Sequence, residues 1–203
     1  MITVLDYGAG NIGSVLNMIK KVGGQAVAKS DINSVATADK LLLPGVGSFD
    51  NAMIRLKNLG LVEPIKEFAK SGKPLMGICL GMQLLTNSSE EGVEPGLGLI
   101  AAKVRKFKFS AESSNLRIPH MGWNIAYPSQ AHPMMEGLTD RARFYFVHSY
   151  HAVLDNPEEE LMYSNYGYRF TSALCKNNVI GFQFHPEKSH RYGMQLIKNF
   201  VSL

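Results

Sequence analysis

Cys79 sits in Gly77-Ile78-Cys79-Leu80-Gly81, between a short apolar run, Pro74-Leu75-Met76, and a helical pattern, Met82-Gln83-Leu84-Leu85. A strand, a sharp Gly-x-Cys-x-Gly turn and a helix make the cysteine version of a nucleophile elbow. The turn is cramped, so glycine is needed where a β-carbon would collide. The thiol stands at the end of a strand and at a helix N-terminus, whose partial positive charge favours thiolate. Read as packing alone, the pentapeptide is a buried cysteine beside a Gly-rich turn, and the pattern is short. A second segment weighs against that reading. Gly181-Phe182-Gln183-Phe184-His185-Pro186-Glu187 puts a histidine after a run of β-formers, Val179 to Phe184, where a parallel sheet places its chemistry. Glu187 follows closely enough to orient the imidazole or hold its charge. Cys79, His185 and Glu187 form a nucleophile, a base and an orienter, the set that acyl transfer needs.

These residues need a sheet to hold them. The first half of the chain alternates: strands at Ile2-Asp6, Gln25-Ala28 and Lys40-Leu43, and helical patterns at Ile12-Val22, Asn51-Leu59 and Val62-Lys70. Ile12, Val15, Leu16, Ile19 and Val22 make one helix face. Such alternation predicts a parallel sheet with helices on both faces. From Leu97 on, short β-rich runs dominate, among them Ile100-Val104, Trp123-Tyr127, Phe144-Val147 and Phe170-Leu174. They predict antiparallel additions to a mainly parallel central sheet. A last helix is expected over Tyr192-Phe200, and Ser110 to Asn115 is the most polar loop. No repeat or linker divides residues 1–203, so one α/β domain is expected.

Composition narrows the class. A length of 203 residues, 45% of them hydrophobic, suffices for one buried core. The net charge of +4 is mild and the basic residues are scattered, which argues against nucleic acid. Lys103 to Lys108 alternates and reads as a strand with a solvated basic face. No apolar run reaches the ~20 residues a membrane span needs. The N-terminus enters a strand with no basic leader. Two cysteines make no disulfide framework, and Cys175 reads as a buried bystander in a strand. A reducing, cytoplasmic setting is expected. No metal-ligand cluster is visible, and the chemistry calls for neither metal nor cofactor. His148 and His151 read as structural strand histidines.

Gly8-Ala9-Gly10-Asn11-Ile12-Gly13, with Asp31 further on, matches a dinucleotide-binding fingerprint. Asp31 lies beyond the strand, where a loop or helix cap is expected, so the match is a decoy.

With the elbow and the His-x-Glu pair stand Leu43-Pro44-Gly45-Val46-Gly47, Pro119-His120-Met121-Gly122-Trp123-Asn124 and Tyr145-Phe146-Val147-His148-Ser149-Tyr150. Together they resemble the triad-type class I glutamine amidotransferases, and within them the glutaminase subunits of imidazole glycerol phosphate synthases. The resemblance runs from the first strand almost to the last helix. It implies hydrolysis of L-glutamine to glutamate and ammonia, delivered to a (β/α)₈-barrel synthase in a heterodimer. It implies oxyanion donors from the backbone of Leu80 and of Gly45 and Val46. Gly45, which accepts positive φ, would let that peptide reorient. It implies glutamine binding by Gly47, Gln83, Ser149 and Tyr150. It gives the partner face to Asn11, His120, Met121, Trp123, Tyr145 and Lys188. One departure is His190, where the histidine-pathway pattern has glycine, and it leaves open a paralogue that feeds a sugar-amidating synthase. A cysteine peptidase or hydrolase and a dinucleotide-binding module are two competing classes; Gln83 and Gln183 favour glutamine over peptide, and a titration with NAD(H) followed by Trp123 fluorescence tests the second.

Overall fold

Alternate residues of the first strands face opposite ways, and two helix layers cover them. The computed structural model describes residues 1–110 and 115–203; of the polar loop expected over Ser110–Asn115, residues 111–114 lie outside them. Strand and helix alternate through β1 (Ile2–Leu5), α1 (Ile12–Lys21), β2 (Ala26–Lys29), α2 (Ile32–Thr37) and β3 (Lys40–Leu43), followed by α3 (Phe49–Asn58), α4 (Val62–Lys70), β4 (Leu75–Ile78) and the short α5 (Leu80–Leu84). The second half adds β5 (Ser88–Ser89), β6 (Ala102–Lys106), β7 (His120–Ile125), β8 (Tyr127–Pro128), β9 (Arg143–His148), β10 (Tyr150–Leu154), β11 (Glu160–Tyr166), β12 (Tyr168–Lys176), β13 (Val179–Phe182) and α6 (His190–Ser202).

Among the described residues the main sheet runs β2-β1-β3-β4-β13-β12-β10-β6-β5, with β11 on β12 and β8 on β11. From β2 to β13 every pairing is parallel, and from β13 to β6 antiparallel. This is the mixed α/β architecture expected. Leu41 and Leu43 pack with Phe49, Leu56 and Ile65, whereas Leu42 and Met76 pack with Val15, Ile19, Leu196 and Phe200. So α3 and α4 cover one face, α1 and α6 the other, and period-2 side-chain alternation separates the two cores. Asn11 caps α1 through Ser14 N at 3.2 Å. β6 buries Ala102 and Val104 and exposes Lys103, Arg105 and Lys106, the basic face expected.

β13 stops at Phe182 rather than Phe184, because its partner β4 turns away there: Cys79 N donates to Phe182 O at 2.7 Å. A separate two-stranded ribbon pairs β7 with β9, setting His120 opposite His148 and Trp123 opposite Tyr145. Among the described residues no helix is long and apolar enough to cross a membrane.

Candidate active site

Cys79 follows the last residue of β4 with φ 53° and ψ −109°, a left-handed conformation that L-residues avoid. The turn around it has no room. A β-carbon on Gly77 would lie 2.7 Å from the Gly81 carbonyl, and one on Gly81 would lie 1.8 Å from Leu43 O. The glycines expected from the motif are therefore required by backbone approach. Leu80 opens α5, so its N–H has no carbonyl within that helix to bond.

His185 is buried beside this turn. Its Nδ1 meets Glu187 Oε1 at 2.7 Å, and its Nε2 has no hydrogen-bond partner among the described residues. Burial lowers the imidazole pKa, but the neighbouring Cys79 sulfur and the Glu187 carboxylate outweigh it and raise it to about 9. Ser189, fully buried, donates to His185 O at 2.6 Å and accepts from Tyr145 N at 3.0 Å. It ties the histidine loop to β9, a role that an ordinary serine after a Pro-Glu-Lys turn does not announce.

Cys79 and His185 open into a cavity of about 320 Å³, together with Val46, Gly47, Leu80 and Gln83. Ser149 and Tyr150 line it as well. All four residues expected to bind glutamine thus reach one space. Glu91, which no motif announces, also lines it and accepts from Phe49 N at 2.9 Å. That bond replaces the missing side-chain cap of α3, whose Ser48 makes none.

Gly45 departs from expectation. It is buried behind the cavity, and the positive φ belongs to Gly47 at 110°. A β-carbon on Gly45 would lie 2.7 Å from Tyr7 Oη and 2.8 Å from Gly81 N. Close packing by itself requires glycine there. Tyr7 Oη donates to Pro44 O at 2.6 Å and holds the same loop.

His120 also needs correction. Rather than standing on the partner face, it is buried, stacked on Phe146 and Tyr166. Its Nδ1 meets His148 Nε2 at 2.9 Å, and His148 Nδ1 meets Tyr150 O at 2.7 Å. Burial lowers the pKa of both, that of His120 to about 4, so the pair is neutral. A carbonyl only accepts, so His148 Nδ1 carries the proton, Nε2 accepts from His120 Nδ1, and His120 Nε2 accepts from Asn124 Nδ2. His148 lines the Cys79 cavity too, but its two ring nitrogens are engaged by His120 and Tyr150 O, and His151 Nε2 meets Tyr168 Oη at 2.9 Å.

Asn11, Met121, Trp123 and Lys188 are exposed, and Tyr145 is half-buried. Trp123 packs edge-on to Tyr145, and Lys188 Nζ lies 5.8 Å above the Tyr145 ring. His190 takes φ 46° and stacks on Trp123 with ring centres 5.3 Å apart. Its left-handed backbone is where glycine is the easier residue.

Cys175 is half-buried, not buried, with its sulfur 3.6 Å from His132 Nε2. Burial first, and then Glu159, push its thiol up to about 11. Asp31 caps α2 through Ser34 N at 2.9 Å, so the dinucleotide fingerprint lacks its ribose-binding acid. Among the described residues no group of three or more His, Cys, Asp or Glu could hold a metal ion.

Residues 3–203 match the family described as glutamine amidotransferase class-I. The chain is 50% identical to imidazole glycerol phosphate synthase subunit HisH 2 of Pseudomonas aeruginosa, over 100% of both chains. It is 49% identical to imidazole glycerol phosphate synthase subunit HisH of Sulfurimonas denitrificans, over 99% of this chain and 97% of that one. Among solved structures, PurLQS from Thermotoga maritima superposes with a TM-score of 0.75 at 15% identity, covering 99% of this chain and 97% of that chain. With a cysteine elbow, a His-Glu pair and a family match from end to end, this chain belongs to the class I glutamine amidotransferases.

Proposed function

We propose that this chain hydrolyses L-glutamine to glutamate and ammonia as the glutaminase subunit of an imidazole glycerol phosphate synthase. The observation that carries the mechanism is the strained Cys79 turn beside the unpartnered Nε2 of buried His185. His185 takes the thiol proton, and Cys79 Sγ attacks the side-chain carboxamide carbon. The carbonyl oxygen becomes an oxyanion, met by the N–H groups of Leu80 and Val46. Collapse expels ammonia, which leaves with the proton from His185. Water, deprotonated by His185, then opens the thioester and releases glutamate. Glu187 holds the ring and its charge. Glu91 is the carboxylate that meets the substrate's α-ammonium group, while Gln83, Gly47, Ser149 and Tyr150 fix the rest.

The ammonia goes to a (β/α)₈-barrel partner docked over Asn11, Met121, Trp123, Tyr145 and Lys188. Glutaminase turnover is then switched on by that partner, since an always-active enzyme wastes glutamine. A free cysteine nucleophile and a biosynthetic role suit the cytoplasm. A diazoketone analogue of glutamine should label Cys79 alone, and Cys79→Ser should abolish glutamine-dependent synthesis while ammonia-dependent synthesis survives. Labelling that persists in Cys79→Ser sinks the assignment.

One observation favours a second acceptor. His190 covers Trp123 on the docking face, and a sugar-amidating synthase with a complementary surface would fit it. Supplying each purified acceptor with its synthase and following glutamine-dependent product decides between the two.

A further inference from the structure

Gln183 is fully buried, yet it is bonded to two functional side chains. Its Oε1 accepts from Gln83 Nε2 at 3.1 Å, and its Nε2 stands 3.8 Å from Cys79 Sγ. The direction of these bonds is fixed from outside. Tyr150 O, which only accepts, takes one hydrogen of Gln83 Nε2 at 3.3 Å. The second hydrogen of that amide goes to Gln183, whose Oε1 must therefore face Gln83. The NH₂ end of Gln183 is left pointing at the sulfur. Tyr150 O is itself held by His148 Nδ1, so the orientation is set by a backbone carbonyl rather than by a free rotor.

We propose that Gln183 is a catalytic hydrogen-bond donor to the Cys79 sulfur, holding it as thiolate before attack and again as thiolate leaving group when water opens the thioester. A donor to the charged form favours that form. His185 loses this ability when it gives its proton to ammonia, whereas a carboxamide keeps its hydrogens throughout. Gln183 moves no proton; it only stabilises negative sulfur at both ends of the covalent intermediate. The arrangement also ties the nucleophile to the pocket. Both hydrogens of Gln83 Nε2 are engaged, so only its Oε1 remains for a substrate donor, and a ligand that pulls on Gln83 changes what Gln183 offers to sulfur.

This inference rests on the reading of Cys79 as the nucleophile, and the test separates the two. The probe is iodoacetamide on the free chain in a Cys175→Ser background, with the site of alkylation read by mass spectrometry across a pH series. Gln183→Met removes the donor at similar volume. It should move the inflection of Cys79 alkylation up by about one pH unit, and so slow the reaction about tenfold below the inflection. Gln183→Glu is nearly isosteric and sets a carboxylate beside the sulfur, so its inflection should rise further; it keeps the proposal testable if the Met variant does not fold. A purely structural Gln183 predicts lower melting temperatures with the inflection unmoved. An unmoved inflection in a folded variant, or a lowered one in Gln183→Glu, overturns the proposal. An unsubstituted chain whose Cys79 does not alkylate overturns the nucleophile itself.

Discussion

Replacing Glu187 with Gln keeps the side-chain shape and removes the charge, so it isolates what the carboxylate does for His185. The two side chains are 1% and 4% exposed, with Nδ1 and Oε1 2.7 Å apart. Burial lowers the imidazole pKa, and Cys79 and Glu187 together turn that into a rise from 6.5 to about 9. Such a rise is on the order of 3 kcal/mol of preference for the charged ring, at about 1.4 kcal/mol for each pH unit. In a Cys79→Ser background only the carboxylate remains, and a contacting opposite charge is worth about one to three pH units. Adding Glu187→Gln should therefore lower the His185 pKa by that amount, followed by NMR titration of the ring. Stability follows the same sign. The folded-state pKa lies above the unfolded one, so the contribution is complete below 6.5 and is lost as pH rises through about 9. Urea unfolding of the unsubstituted chain should weaken across that window by on the order of 3 kcal/mol, and Glu187→Gln should flatten the loss. A change in the ring pKa of less than about half a pH unit, or equal pH slopes of stability, would refute the claim that Glu187 holds the imidazolium.

His185→Ala should lower glutaminase kcat further than Glu187→Gln, because an orienting group is partly replaceable and a proton carrier is not; equal losses would give Glu187 another role. Gly81→Ala puts a β-carbon 1.8 Å from Leu43 O, so thermal melting should show a loss of on the order of 4 kcal/mol or no folded protein, and a native-like melt would contradict the described turn. Gly45→Ala should lose stability together with activity, since its β-carbon meets Tyr7 Oη and Gly81 N; lost activation at unchanged melting temperature would restore the loop as a pure backbone switch. If Trp123 anchors the proposed synthase partner, Trp123→Ala should weaken assembly with it about tenfold or more by calorimetry, with melting unchanged, as removal of an exposed aromatic anchor does.

The triad is legible in the sequence because its signals are contiguous. A Gly-x-Cys-x-Gly turn needs its glycines within four residues, and a His-x-Glu pair closes over two. What escapes a linear reading lies between distant segments. Gln183 and Cys79 stand 104 residues apart, and His120 and His148 28 apart. His120 reads as a surface anchor because its neighbours Met121 and Trp123 are exposed; the pleat of β7 turns it the other way. Gly45 and Gly47 cannot be told apart in sequence: Tyr7 and α5 crowd Gly45, whereas Gly47 has open space and carries the positive φ. β11 is hidden for a local reason. Its register shifts twice between Glu160 and Tyr163, which blurs the alternation that marks a strand. β10 buries His151 and Ala152 side by side and shows no alternation either.

The ribbon of β7 and β9 gives partner docking a physical route into the pocket. On its outer side stand Met121 and Trp123; on its inner side His120 and His148 form a neutral pair whose proton positions are all determined. Asn124 Nδ2 donates to His120 Nε2 at 3.2 Å, His120 to His148 at 2.9 Å, and His148 to Tyr150 O at 2.7 Å. That carbonyl also receives Gln83, which in turn orients Gln183 against the Cys79 sulfur. No member can rotate alone without leaving a buried donor or acceptor unpaired, which costs about 1–3 kcal/mol. A displacement of β7 on docking therefore either moves the set together or breaks it, and each ~1.4 kcal/mol of bias is about a factor of ten in rate. Activation by a partner thus needs no large rearrangement of the loop at Gly45, which lies close against Tyr7 and Gly81; a small shift in the strand that carries Trp123 reaches the same sulfur.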